Sequence, residues 1–349
     1  MFLSKMKSRV LYCVTFLLAG LVLVGVNLAK ASYIQKASYI QKESTQNGQF
    51  QSLTKATTPR AYITSYNIFK GDYSKIIQCQ INPATGAFSS CSDTGATGLN
   101  NPTMVVLNQQ GTHAFIASSD NNKIIQCKVD QATGNFSNCG DTGATLLAQP
   151  TGITLNKKGT RAFVANFYDS KIITCKVDPA TGNFSNCVDT KGAGFSDPAD
   201  IKFNKEENRA FVLSSWGCRV NACKVDPVTG IFSQCQNAGA TGLYIPFGMA
   251  FNDAGNQVYI TNQDSKVVHC KVDVATGKFS ACGDAGATEV YVPAGIAVNP
   301  EGTRAYVANA YNYHVIQCKI NPDTGMFSNC AKTGASLLKY PDGIYIHWK

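Results

Sequence analysis

The sequence predicts an all-β fold: a six-bladed β-propeller of four-stranded blades, with the ring closed by the C-terminal strand joining the first blade. Three observations predict it. A unit carrying two cysteines recurs six times, its first cysteine stepping by 48, 48, 48, 47 and 48 residues from copy to copy. Each copy divides into four short runs rich in β-branched and aromatic residues, bounded by Gly, Pro, Asn and Asp, which is the signature of strands and turns. Four strands in about 40–50 residues is the size of one propeller blade. The ends of the array are also complementary, since Arg60–Thr64 enters at a second strand and Pro341–Ile346 supplies a first strand. Joined, they make one whole blade and leave no terminal strand edge exposed.

Along the chain, the first feature is Lys5, Lys7 and Arg9 ahead of an apolar run from Val10 to Val26. Ala29-Lys30-Ala31 then places small residues where a signal peptidase reads them, so residues 1–31 are expected to be a signal peptide cleaved after Ala31. An uncleaved anchor is the alternative, because the run is near the short end of what spans a bilayer. Residues 32–58 read as a flexible polar linker that opens on the tandem hexapeptide ASYIQK, and 59–349 as the propeller. Of 14 cysteines, 12 fall into the repeated pairs, a usage that suits an oxidising compartment. The expected location is secreted, periplasmic or cell-surface, with no stable membrane span after cleavage. Loss of Lys5, Lys7, Arg9 and Lys30 with the signal takes the formal charge from +9 to +5, because residues 1–31 hold no Asp or Glu. A chain so mildly basic, with no long Lys or Arg run, is not expected to bind nucleic acid.

Within each unit the first strand follows a proline, as in Pro150–Asn156, Pro246–Asn252 and Pro293–Asn299. A polar turn leads to the second, as in Arg161–Asn166, Gln257–Asn262 and Arg304–Asn309. The third is of the type Lys123–Val129, and the fourth starts at Phe136 and its equivalents. No stretch after the signal keeps a 3.6-residue apolar period. Tyr259-Ile-Thr-Asn262 and Tyr306-Val-Ala-Asn309, with Pro-x-Gly-Ile-Ala before them and Asp-x-x-Thr-Gly after, resemble the repeats of YVTN-type, lactonase-like β-propellers. The resemblance covers about Pro59 to Lys349. It implies the fold, and it implies for function either a lactonase-like enzyme or one of many binding and surface proteins. Paired cysteines are not part of that general pattern.

The cysteines are expected to pair within their own units: Cys79 with Cys91, Cys127 with Cys139, Cys175 with Cys187, Cys223 with Cys235, Cys270 with Cys282 and Cys318 with Cys330. A hairpin with the five-residue loop Gln131–Asn135 sets Cys127 directly opposite Cys139. Directly opposed antiparallel residues have Cα atoms about 4.5–5.5 Å apart, within disulfide reach. Zinc is a poor alternative: it wants closer cysteines or cysteine with histidine, and His113, His269, His314 and His347 share no repeat position. Cys218 is left over and is expected to be an unpaired thiol, buried or intermolecular.

Function is sought where the copies differ. Tyr66, Phe69, Phe167, Tyr168, Trp216, Tyr311 and Tyr313 occupy the connections between second and third strands, and Tyr244, Tyr291 and Tyr340 the connections between blades. Both sets emerge on one face of a propeller, and aromatics in loops offer large contact area at small entropic cost. The opposite face, with Lys157, Lys158, Lys205, Arg161, Arg209 and Arg304, is expected to be solvated. The resemblance implies a channel calcium or charged channel groups for an enzyme. Asp200 and Asp342 lie near the start of first strands and Asp197 just before one, but at different phases, and calcium needs about six oxygen ligands. No catalytic set, cofactor or metal is expected from these residues. The sequence favours a non-catalytic binding, adhesion or protein-interaction module that takes a protein or carbohydrate ligand on its aromatic loop face. A lactonase-like hydrolase with a channel metal site, and an envelope structural protein, are the alternatives.

Overall fold

A computed structural model describes residues 58–66 and 74–348. The signal segment, the linker up to residue 57, and Phe69 of the aromatic set lie outside the described residues. Among the described residues, twenty-four strands form six antiparallel four-stranded sheets. In five of them the strands run in chain order; in the first blade the C-terminal strand Pro341–His347 lies beside Arg60–Tyr66, with Arg60 opposite His347 and Ile63 opposite Ile344. The ring is a six-bladed propeller closed by three N-terminal strands and one C-terminal strand.

Each core lies between blades, because a sheet of four short strands cannot cover its own faces. Phe211, Leu213 and Val220 of blade 4 pack with Met249, Ile260 and Phe279 of blade 5. Tyr306 and Ala308 of blade 6 pack with Ile63, Phe88 and Ile344 of blade 1. An aromatic pair marks every interface: the second-strand ring of one blade meets the Phe that opens the outer strand of the next. Tyr62–Phe136 and Tyr306–Phe88 have centroids 5.3 Å apart, and the other four lie at 4.9–5.8 Å. Such pairs contribute about 0.5–1.5 kcal/mol beyond the area they bury.

Arg161, Arg209 and Arg304, expected on a solvated face, instead join neighbouring blades, and Arg60 does the same. Arg60 donates to Ala132 O (2.7 Å), Arg161 to Val228 O (2.7 Å), Arg209 to Ala275 O (2.9 Å) and Arg304 to Ala84 O (3.2 Å). Each acceptor lies in the hairpin turn of the next blade, and Gln257 reaches Pro322 O in the same way (2.9 Å). Sequence periodicity places these guanidiniums at the rim. What it hides is that the next blade's turn is rotated over them.

All six expected disulfides are present, with Cα atoms 4.0–4.1 Å apart. The hairpin register differs from the expected one. Val129, not Asp130, faces Phe136, so the loop has six residues. A bulge at Asn138, in the left-handed region at φ 49°, then restores Cys139 to its place beside Cys127. The longer loop follows from Asp130, whose carboxylate accepts the N–H groups of Ala132 (2.8 Å) and Thr133 (3.2 Å). Gly134 closes the turn at φ 80°, and a Cβ there would stand 2.9 Å from Arg60 Cδ of the preceding blade. Backbone conformation and the inter-blade clamp both demand glycine. The bridges belong to an extracellular or periplasmic protein. No cysteine among the described residues is free, and Cys218 is itself disulfide-bonded, which corrects the expectation of an unpaired thiol.

Candidate functional site

The loop face is built by one recurrent fastening. A buried Ser or Asn at the end of each second strand, the last residue in five blades and the next to last in blade 1, holds the connection leading into its own blade. Asn166 accepts from Ala148 N–H (2.9 Å) and donates to Leu146 O (2.8 Å); Asn309 accepts from Tyr291 N–H (2.6 Å) and donates to Glu289 O (2.8 Å). Ser65 does the same for Lys339, accepting its N–H at 2.7 Å and donating to its carbonyl at 2.6 Å. The terminal Asn of the Tyr-Val-Thr-Asn strand therefore positions loops.

The fastened loops gather five tyrosines where blade 6 meets blade 1. Tyr340 is buried at the centre, 6.0 Å from Tyr66, 5.3 Å from Tyr311 and 5.1 Å from Tyr313, and Tyr291 stands edge-on to Tyr311 at 6.1 Å. Tyr291, Tyr311 and Tyr313 stay 53, 50 and 44% exposed. A hydrogen bond from the Tyr340 hydroxyl to Tyr313, with burial and neighbouring phenols, pushes Tyr340 up to about 12, so this phenol is neutral at physiological pH. Beside it opens a depression of about 460 Å³ lined by Glu289, Val290, Asn312, His314 and Lys332. His314 Nδ1 donates to Asn312 O (2.6 Å) while Nε2 accepts from Asn309 (3.2 Å), and burial lowers its pKa. Of the sequence-predicted face, Tyr66, Tyr291, Tyr311 and Tyr313 come together. Phe167, Tyr168, Trp216 and Tyr244 sit on or next to blades 3 and 4 and join no ring cluster among the described residues.

The second feature is the channel mouth. Innermost strands approach so closely that a Cβ on Gly248 would stand 2.5 Å from Ala294 O of the next blade, and one on Gly295 2.5 Å from Asp342 O. Two carboxylates interrupt this wall. Asp200 is buried and saturated: Oδ1 takes Ile201 N–H (2.8 Å) and Lys202 Nζ (2.6 Å), and Oδ2 takes Met249 N–H of the next blade (3.0 Å). Asp342, second residue of the closing strand, is buried and has no such partners; loss of water pushes its carboxyl up to about 8. Its neighbour Tyr66 is pushed up by its own burial and by the Asp342 charge. The channel does not fit a calcium ion. Asp342 and Asp200 stand on blades 1 and 4, across the ring, the oxygens of Asp200 are already engaged, and burial favours the neutral form of Asp342. No three metal-binding side chains cluster among the described residues.

Comparison with known proteins assigns the family. A family model described as "Lactonase, 7-bladed beta-propeller" matches residues 60–179 and 153–292. The chain belongs to this lactonase propeller family. Its ring has six blades where the family description has seven. Among solved structures, it is similar to a Bacteroides uniformis protein provisionally named a 6-phosphogluconolactonase (15% identity, 83% of this chain and 100% of that one, TM-score 0.62). The periplasmic gluconolactonase PpgL of Pseudomonas aeruginosa is 13% identical over 82% of this chain and 98% of its own, with TM-score 0.57. A chain of the nidogen/laminin complex is 12% identical over 82% and 98%, with TM-score 0.64. These likenesses share the fold. No curated protein matches the chain. Family membership overturns the expectation of a non-catalytic module and points to a lactonase-like enzyme. The sequence named Asp342 but discounted it, because burial, the property that raises its pKa, depends on the ring being closed over it.

Proposed function

We propose that this protein is an exported lactonase-like hydrolase that works at the channel mouth with Asp342 as its acid–base group. The observation that carries this reading, beside the family, is a buried carboxyl with a pKa of about 8 at the entrance of the channel. A perturbed carboxyl in a cleft is a candidate catalytic group, and one poised near the working pH serves as both base and acid. As the carboxylate it takes a proton from a water attacking the lactone carbonyl. As the acid it returns that proton to the ring oxygen when the acyl C–O bond breaks, so lactone plus water gives the hydroxy acid. No step is routed through a metal, because the donor set does not fit one.

The test is Asp342→Asn assayed on a panel of sugar lactones with the uncatalysed rate subtracted. General acid–base catalysis contributes about 10²–10⁴-fold, and a loss of that order is expected. The wild-type rate should rise through a single ionisation near pH 8 that is absent from the variant. Full activity in D342N sinks the assignment of Asp342, and no turnover of any lactone by the wild type sinks the hydrolase reading.

A further inference from the structure

The five tyrosines need a reason that folding does not supply. Two of them occupy positions where other copies of the repeat also take a left-handed backbone. Tyr340 (φ 36°) corresponds to Asn101, Gln149, Asp197, Ile245 and Val292, and Tyr313 (φ 59°) to Asn122, Ser170, Cys218 and Ser265, so no other described copy needs a tyrosine at either place. Asn adopts that conformation at lower cost than a bulky aromatic. The other blades are fastened without a tyrosine there, so the rings are not required to close the loops. They also leave three half-exposed phenols side by side on a surface facing water.

The row leads somewhere. Tyr66 N–H donates to Lys339 O (3.1 Å), and Ser65 faces Pro341, which puts Tyr66 at the end of the strand next to Asp342. From there the rings run outward through Tyr340 and Tyr311 to Tyr291, each step between centroids 5.3–6.1 Å. Beyond them lies the depression with a carboxylate (Glu289), an ammonium (Lys332) and an amide (Asn312). A ligand matching this surface has apolar faces that lie on rings and hydroxyls at its rim that both donate and accept. That is the chemistry of a pyranose chain. An apolar protein segment would leave the groups of the depression unsatisfied, at a desolvation cost.

We propose that the tyrosine row is a carbohydrate subsite holding the intact sugar residues of an oligosaccharide whose terminal residue, a lactone, lies at Asp342. The glycan part stands on the tyrosine row alone; the lactone part rests on the hydrolase reading. An oligosaccharide lactone forms when the reducing-end hemiacetal is oxidised, so a reaction of that class must supply the substrate.

Calorimetry with β-1,4-linked glucose, β-1,4-linked N-acetylglucosamine and α-1,4-linked glucose oligomers of two to four residues tests the subsite directly. At least one series should bind, with affinity rising with length and falling about tenfold or more in Tyr311→Ala and Tyr291→Ala. Val274→Ala, on the opposite face, should bind as wild type. In turnover, a disaccharide lactone should show a lower KM than gluconolactone, and Y311A should erase that difference. Binding without any lactone turnover leaves the subsite standing and removes the hydrolase reading. No oligomer binding, with equal KM for both lactones, overturns the subsite and leaves the hydrolase reading intact. Oligomer binding that survives both tyrosine changes overturns the subsite as well.

Discussion

At the scale of single residues, Asp342 ties stability to chemistry. Its carboxyl ionises near 3.8 in the unfolded chain and near 8 in the folded one. A raised folded pKa means that its contribution is fully present below about pH 4 and is lost as the pH rises towards 8. Asp342→Asn removes a charge that burial opposes and keeps the shape. The variant should therefore melt higher than wild type at pH 8, by on the order of 5 °C for a chain of this size, and level with it near pH 4. Calorimetry at the two pH values checks this, and a gap that does not change with pH counts against the buried ionisation. A variant more stable and less active is the expected mark of a strained functional group. Both aspartates were visible in the sequence. Their difference was not, because Asp200 is satisfied by the Met249 N–H of the next blade and Asp342 by nothing comparable.

At the scale of strands and hairpins, the repeat is governed by close approach. Gly248 sits where a Cβ would stand 2.5 Å from Ala294 O and 3.0 Å from Gly295 Cα, both backbone atoms that cannot step aside. Gly140, in an outer strand, has nothing within 4 Å. Gly248→Ala should destabilise by about 1–3 kcal/mol, as overpacking does, and Gly140→Ala should be close to neutral; chemical denaturation of the pair measures the contrast. Equal stabilities would mean that the innermost strands have room to part. The cysteine hairpin is the element where sequence and structure agree on the outcome and differ on the route. The pairing was legible from spacing alone. The six-residue loop and the compensating bulge were not, because they depend on how Asp130 folds its own turn and on the Arg60 clamp from the blade before.

At the scale of the whole molecule, the ring stands or falls on its closure. Without Pro341–His347, blade 1 loses its innermost strand and the interface holding Tyr306, Phe88 and Ile344 opens to water. A chain ending at residue 340 should lose its cooperative melting transition and become sensitive to protease under conditions where the full chain resists. Retention of the wild-type transition would show that the other five interfaces suffice. The sequence by itself determined the number of blades, the partners of twelve cysteines and the strand that closes the ring, because these are local spacings repeated along the chain. Only the tertiary structure decided which side chains meet across blades: the arginines that grip the next turn, the tyrosines that gather at blades 6 and 1, and the carboxyl shut away from water. Contacts between neighbouring blades join residues far apart in the chain, and burial belongs to the closed ring, so neither is written in any one copy of the repeat.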